Sequence, residues 1–233
     1  MTVYGVGLGP GAPGLVTVRG RDLIASADAV FAPGPHSRSI VADLVPEAPL
    51  RDVEFPMTSD EERLRAAWKE AAVDIAAAGT DTDAVFVTLG DPNIYSTFRH
   101  LHWALKRFHP TVDVEVVPGV SAATAFASAL GVEVETGAQL TLGEARGAET
   151  ALGPERLILM KVTDAVALHD RLTEAGYTVR YGRKLFMSDA ETVVTADPHT
   201  VSDREYFTLA YADRRALDER TATSGTDRPS LLE

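Results

Sequence analysis

Apolar positions along this chain follow two rhythms. Val3 to Leu8, Ala27 to Ala32, Asp83 to Leu89 and Val112 to Val117 are short runs rich in β-branched and aromatic residues, the composition of buried strands. Between them, apolar residues recur every three or four positions, as in helices. Leu15 to Ser26 is one such stretch. Asp60 to Ala78 is a second, with Leu64, Trp68, Ala71, Ala72 and Ile75 on one stripe, Ser59 or Asp60 as its cap, Glu62 near the capping-box position and Gly79 as its stop. Phe98, Leu101 and Leu105 mark a third, and a fourth runs from near Ser121 to Gly131. Strands that alternate with helices in this way predict an α/β half built on a mainly parallel sheet.

Past Gly131 the pattern changes. Val132 to Gly153 is polar and alternating, a plausible boundary between halves. Arg156 to Val162 reads as a buried strand, and Asp164 to Ala175 as a helix stopped by Gly176. Tyr177 to Phe186, Thr192 to Ala196 and Glu205 to Ala212 are closely spaced strands without long helices between them, which predicts a mixed or antiparallel sheet. The expected organisation is an N-terminal domain over 1–117, a C-terminal domain over 118–212 and a charged, Ser/Thr/Gly-rich, disordered tail over 213–233.

Composition narrows the function classes. The 233 residues are enough for a substantial core, and the absence of Cys excludes disulfide frameworks and thiolate chemistry. The N-terminus shows no signal-peptide pattern, and no run approaches the ~20 apolar residues of a spanning helix, so a cytoplasmic protein with no membrane partner is expected. Asp and Glu number 34 against 22 Lys and Arg, for a net charge of −12, and only Lys69, Lys106, Lys161 and Lys184 are lysines. That balance argues against nucleic-acid binding. An acidic, Lys-poor surface fits a halophilic source, where strong screening suppresses self-repulsion.

The chemistry concentrates in the turns that follow strands. Gly7-Leu-Gly-Pro-Gly-Ala-Pro-Gly14 is Gly-rich, but after Gly5-x-Gly7-x-x it is Pro10 that stands where the dinucleotide fingerprint needs its third Gly, and no G-K-[ST] follows. Such a stiff, donor-poor loop suits a wall that a flat neutral group can approach. Pro33-Gly-Pro-His-Ser-Arg-Ser39 reads as a second loop, with His36 and Arg38 as its chemical groups. Gly90-Asp-Pro-Asn-Ile-Tyr-Ser-Thr97 joins strand to helix, with Gly90 permitting close backbone approach and Ser96 and Thr97 at the N-cap. Pro118-Gly-Val-Ser-Ala122 repeats the pattern, which puts several small-residue turns on one edge of a sheet, where α/β folds hold ligands. Asp91 is the one carboxylate locked into a rigid turn; general base, acceptor for a ligand and acceptor of loop N–H groups are all open to it. His100 and His102 point to different faces of a helix, no nucleophile elbow is present, and no metal site is expected.

Taken in order, Gly7-Leu-Gly-Pro-Gly-Ala-Pro-Gly-Leu-Val-Thr-Val-Arg19, Gly90-Asp-Pro92 and Pro118-Gly-Val-Ser-Ala122 resemble the tetrapyrrole (corrin/porphyrin) methylases, S-adenosylmethionine-dependent enzymes, over residues 1 to 212. Leu89 to Phe98 and Glu205-Tyr-Phe-Thr-Leu209 resemble the branch that methylates C20 of cobalt-factor II or precorrin-2 in cobalamin biosynthesis. The resemblance implies a homodimer of two-domain class III methyltransferase fold, with a mainly parallel N-terminal sheet, a mixed C-terminal sheet and the active site between them. It implies that Pro10, Gly90, Asp91, Ile94, Ser96, Thr97, Ser121, Ala122, Met160 and Thr208 contact the cofactor. Leu185 to Ser188 departs from the family's small-residue turn and is left out of that set. In such a reaction Asp91, Tyr95 or the substrate's own carboxylates would take the proton that leaves C20. Arg38, Arg99 and Lys161 would be the basic lining that a carboxylate-rich substrate needs in an acidic chain. Alternatives are another corrin-ring methylase, diphthine synthase, or a non-catalytic module that binds tetrapyrrole or S-adenosylmethionine.

Overall fold

The computed structural model describes residues 2–56, 60–78, 83–145, 148–150, 152–187, 192–202 and 207–214. Its contacts divide the chain into two units, Met1–Val132 with Lys184–Thr192, and Glu133–Arg183 with Val193–Glu233.

In the first unit, strands β1 (Thr2–Gly7), β2 (Ala29–Pro33), β3 (Leu50–Val53), β4 (Ala84–Thr88) and β5 (Asp113–Val117) form one sheet in the order β3-β2-β4-β1-β5. Every pairing is parallel. The carboxyl ends of β4, β1 and β5 therefore lie side by side at one edge. Helices α1 (Val18–Ser26), α2 (Gly34–Leu44), α3 (Glu61–Ala78), α4 (Phe98–Phe108) and α5 (Ala122–Leu130) complete the unit.

Side-chain alternation in the strands builds two cores. Val3, Phe31 and Phe86 pack with Ala72 and Ile75 of α3 and Phe98, Leu101 and Leu105 of α4. Val6, Val30, Val85 and Val87 pack with Ile24 of α1 and Ile40 and Val41 of α2. Phe98 anchors α4 at the sheet centre: a Cβ on Gly5 would lie 2.2 Å from its ring, so the missing side chain on β1 is what seats it. A buried Phe is worth about 1.5–3 kcal/mol.

Several elements differ from the sequence expectation, each for a local reason. The stretch Leu15 to Ser26 is broken into a 3-10 turn, Pro13–Leu15, and then α1, because Thr17 accepts the Gly20 N–H and restarts the helix. Pro33 to Ser39 is not a loop: α2 begins at Gly34, with Pro35 in its first turn, where a missing N–H costs nothing. His36 and Arg38 therefore ride on a helix. The edge strand β3 was not anticipated, since its exposed Arg51 and Asp52 break any apolar run. Asp60 caps α3 by accepting from the N–H groups of Glu62 and Arg63; Ser59 and Gly79 lie outside the described residues.

The second unit holds β6 (Thr141–Glu144), β7 (Arg156–Met160), α6 (Ala165–Glu174), β8 (Thr178–Arg183), β9 (Val193–Thr195) and β10 (Thr208–Asp213), with sheet order β6-β7-β10-β8-β9. The β6–β7 pair is parallel and the others antiparallel, the mixed sheet that the close strand spacing predicts. Strand β6 lies within the polar stretch read as a boundary. Strand β8 stops at Arg183, not Phe186, because Lys184 and Phe186 take left-handed backbone conformations, at φ 51° and 66°. Glu205, the expected start of the last strand, and the tail from 215 onward lie outside the described residues.

Leu157, Leu159, Leu168, Leu172 and Tyr181 form the core of this unit. Buried Arg156 pairs with Asp213 at 3.6 Å and donates to the Glu133 carbonyl, while Tyr211 donates to Asp213 at 2.7 Å. Burial and that bond push the Tyr211 hydroxyl well above the ordinary tyrosine range. Among the described residues, no helix is long and apolar enough to cross a membrane, and no three His, Asp or Glu are grouped to hold a metal ion.

Candidate functional site

Three turns leave the edge formed by β4, β1 and β5, and their main chains are laced together. Leu8 donates to the Thr88 carbonyl at 2.8 Å, Gly90 to the Gly9 carbonyl at 2.7 Å and Gly9 to the Gly90 carbonyl at 3.3 Å. The glycines make this approach possible. A Cβ on Gly7 would lie 2.6 Å from both the Gly119 Cα and the Gly90 carbonyl oxygen, and one on Gly119 would lie 2.3 Å from that same oxygen. Gly90 itself, at φ 70°, faces open space: a Cβ there would meet only the Ala122 nitrogen, at 3.8 Å. That nitrogen belongs to the first turn of α5, whose N–H groups have no acceptor within the helix. Ser121 caps the turn by accepting from Ala123 at 3.2 Å. Side-chain-free main chain thus lies on one side of that space and helix N–H donors on the other.

The turn after β4 is pinned at both ends. Asp91 accepts from Asn93 at 2.9 Å through one carboxylate oxygen and from Gly119 at 3.1 Å through the other. Its carboxylate thus ties the β4 turn to the β5 turn. Ser96 shares a 2.9 Å hydroxyl bond with buried Thr88 and accepts from the Phe98 N–H at 3.1 Å. Thr97 occupies the N-cap of α4 without a side-chain cap bond, so Ser96 does the capping. Ile94 is half-buried, and Tyr95 is exposed with its backbone at φ 49°.

The first unit thus brings Gly90, Asp91, Ile94, Ser96, Thr97, Ser121 and Ala122 to one edge. Pro10 sits in the β1 turn just past the Gly9–Gly90 pair. The segment Leu185 to Ser188 is outside the expected set, yet a Cβ on Gly11 would lie 2.8 Å from both the Met187 side chain and the Phe186 carbonyl; Ser188 lies outside the described residues. Nothing in local composition signals that contact.

The basic residues are placed differently. Arg38 is exposed on α2 and bound to Asp52 of β3 at 2.8 Å; Arg99 is exposed in the first turn of α4. An exposed pair like Arg38–Asp52 is worth about 0–1 kcal/mol, so a competing carboxylate can displace it cheaply.

In the second unit, Met160, Lys161 and Thr208 are neighbours at the ends of β7 and β10. Val162 donates to the Thr208 carbonyl at 3.0 Å, and Ala145 to the Met160 carbonyl at 2.9 Å. Lys161 pairs with Glu144 at 3.0 Å. The Thr208 hydroxyl is fully buried and has no hydrogen-bond partner among the described residues. His102 Nε2, His109 Nε2 and Arg156 Nε are likewise buried without a hydrogen bond among the described residues.

Known proteins resemble this chain in sequence and in fold. The family model for tetrapyrrole (corrin/porphyrin) methylases matches residues 2–197. A relative from Methanocaldococcus jannaschii is 34% identical over 141 residues, 58% of this chain but only 60% of its own length, so the chain spans less than two thirds of it. The cobalt-precorrin-2 C(20)-methyltransferase of Salmonella typhimurium is 34% identical over 176 residues, covering 69% of this chain and 72% of the relative. Diphthine synthase of Halobacterium salinarum is 37% identical over a shorter 128 residues, 55% of this chain and 46% of that protein. Among solved structures, a cobalamin synthesis related protein from Corynebacterium diphtheriae shares the fold, with a TM-score of 0.74 at 21% identity over 91% of this chain and 98% of its own.

Proposed function

Because this chain belongs to the tetrapyrrole (corrin/porphyrin) methylases, we propose that it transfers a methyl group from S-adenosylmethionine to C20 of cobalt-factor II or of its metal-free counterpart precorrin-2. Methylases of this family use S-adenosylmethionine. The observation that carries the reading is the trio of interlocked turns at the β4-β1-β5 edge, with open space beside Gly90. The likeness to the Salmonella enzyme supports the C20 assignment, since it spans more of both chains than the likeness to diphthine synthase.

The residues present fit the donor. Gly90 and the first turn of α5 offer main-chain contacts, and Ile94, Ser96 and Thr97 a small half-polar wall. When bound, the sulfonium supplies an electrophilic methyl group that needs no activation by a side chain. What the chain must do is align donor and acceptor and exclude water. The laced turns provide that rigidity. Asp91, with both oxygens already engaged by N–H groups, holds the turns in place. One of the substrate's own carboxylates is then the better acceptor for the proton leaving C20. Arg99, Arg38 and Lys161 would meet the remaining carboxylates, Arg38 by giving up its exposed pair with Asp52. We also assign the active form to a homodimer.

In the second unit, the orphaned Thr208 hydroxyl supports a contact with the donor. Thr208→Val keeps the shape and removes a buried hydroxyl that has no partner among the described residues, so stability measured by urea unfolding is expected to stay level or rise by about 1 kcal/mol. Affinity for S-adenosylhomocysteine is expected to fall several-fold. A loss of stability with unchanged affinity would show that the hydroxyl serves the fold instead.

The test of function is incubation of the purified protein with isotopically labelled S-adenosylmethionine and either cobalt-factor II or precorrin-2, followed by mass and NMR analysis. Label at C20 is expected. Label at another ring position would move the chain to a different corrin-ring methylase, and an unlabelled macrocycle would overturn the reading.

A further inference from the structure

Tyr95 is the one residue of the β4 turn whose main chain is held against its preference. Its φ of 49° lies in the left-handed region, where Gly, Asn and Asp are at ease and a bulky aromatic is rare. The conformation is imposed from both sides. Upstream, the Asp91 carboxylate accepts from Asn93 and from Gly119, and the Asp91 carbonyl accepts from Ile94 at 3.2 Å. Downstream, Ser96 is fixed to Thr88 and to the Phe98 N–H. Burial in the core does not offset the cost, because Tyr95 remains 41% exposed. While Ser96 turns its hydroxyl inward onto buried Thr88, Tyr95 stays at the rim of the turn. Strain held this firmly at a ligand-binding edge marks a residue placed for recognition.

We propose that Tyr95 is a substrate-recognition residue, its aromatic face receiving the flat conjugated ring of the tetrapyrrole acceptor at the rim of the donor-binding turn. This rests on the methyltransferase reading above. Aromatic side chains pair well with planar π systems in offset stacks, without needing charge. Neutrality matters in a chain of net charge −12, whose general field opposes a carboxylate-bearing substrate. The ring lets the macrocycle approach through its uncharged face, and Arg99, which follows in the first turn of α4, remains available to its carboxylate rim. The role belongs to the ring of Tyr95 and not to its hydroxyl.

Two variants separate ring from backbone and hydroxyl. Tyr95→Asn removes the ring but suits the left-handed conformation, and Tyr95→Phe keeps the ring and removes the hydroxyl. With the macrocycle that the wild type methylates, Tyr95→Asn is expected to raise KM about tenfold, the effect of losing one aromatic stack. Its Kd for S-adenosylhomocysteine should stay within about twofold of wild type. Tyr95→Phe should restore KM to near the wild-type value. The proposal is overturned if KM is unchanged in Tyr95→Asn, if S-adenosylhomocysteine binding weakens as much as KM rises, or if Tyr95→Phe is as impaired as Tyr95→Asn. A wild-type protein that methylates neither macrocycle overturns the functional reading and this inference together, whereas active wild type with unaffected Tyr95→Asn overturns this inference alone.

Discussion

Gly119→Ala is expected to lower stability by about 3 kcal/mol or more and to abolish measurable S-adenosylhomocysteine binding. The added Cβ would lie 2.3 Å from the Gly90 carbonyl oxygen, 2.8 Å from the Gly7 Cα and 2.9 Å from the Gly7 carbonyl carbon. Overpacking a core typically costs about 1–3 kcal/mol because side chains can shift. Here all three neighbours are main chain in adjoining turns, so relief requires separating the turns themselves. That separation would also break the Asp91 bond to the Gly119 N–H. Gly14→Ala is the control, since a Cβ there meets no heavy atom within 4 Å. It should leave stability within about 0.5–1 kcal/mol of wild type, and any change should be a gain from reduced unfolded-state entropy. Urea unfolding and calorimetric titration of both variants check the pair. Equal stability in the two would mean that the turns do not touch as described.

Asp91→Ala carries the second large effect. Hydrogen bonds to a charged acceptor contribute about 1.5–3 kcal/mol each, and the half-exposed setting of this carboxylate reduces that, so a loss of about 2–3 kcal/mol is expected. Asp91→Asn distinguishes strut from base. An amide has one acceptor oxygen; once that serves one N–H, its NH2 group confronts the other donor. Asp91→Asn should therefore lose most of the stability lost by Asp91→Ala, and S-adenosylhomocysteine affinity should fall with it. A residue acting as general base would behave otherwise: Asp91→Asn would fold and bind normally while kcat collapsed. Unfolding curves, ligand titration and single-turnover rates on the two variants decide between these.

Much of the first unit is legible in the sequence because its core obeys local periodicity. Phe98, Leu101 and Leu105 fall on one stripe, and all three are buried. The small-residue turns at Gly7, Gly90 and Gly119 can also be read, and parallel pairing puts them on one edge. Their mutual contact cannot, because it depends on β1 lying between β4 and β5, which no local pattern encodes. The misreadings have similar causes. Pro33-Gly34-Pro35 looks like a turn, but Pro in the first turn of a helix is compatible with helix, and α2 starts there. Arg51 and Asp52 hide an edge strand because an edge needs no apolar run. Lys184 and Phe186 end β8 by adopting left-handed conformations that neither residue type announces. In the candidate site, the residue types at Asp91, Ser96 and Ser121 were apparent. Which of their oxygens are already engaged was not, since that requires knowing where Gly119, Thr88 and Ala123 donate or lie.

Hydrogen–deuterium exchange of the unmodified protein, with and without saturating S-adenosylhomocysteine, tests most directly whether the three turns at the β4-β1-β5 edge hold the donor. Ligand is expected to slow exchange in peptides covering 8–12, 89–97 and 118–124 together. Protection that leaves all three segments at their unliganded rates would contradict that placement.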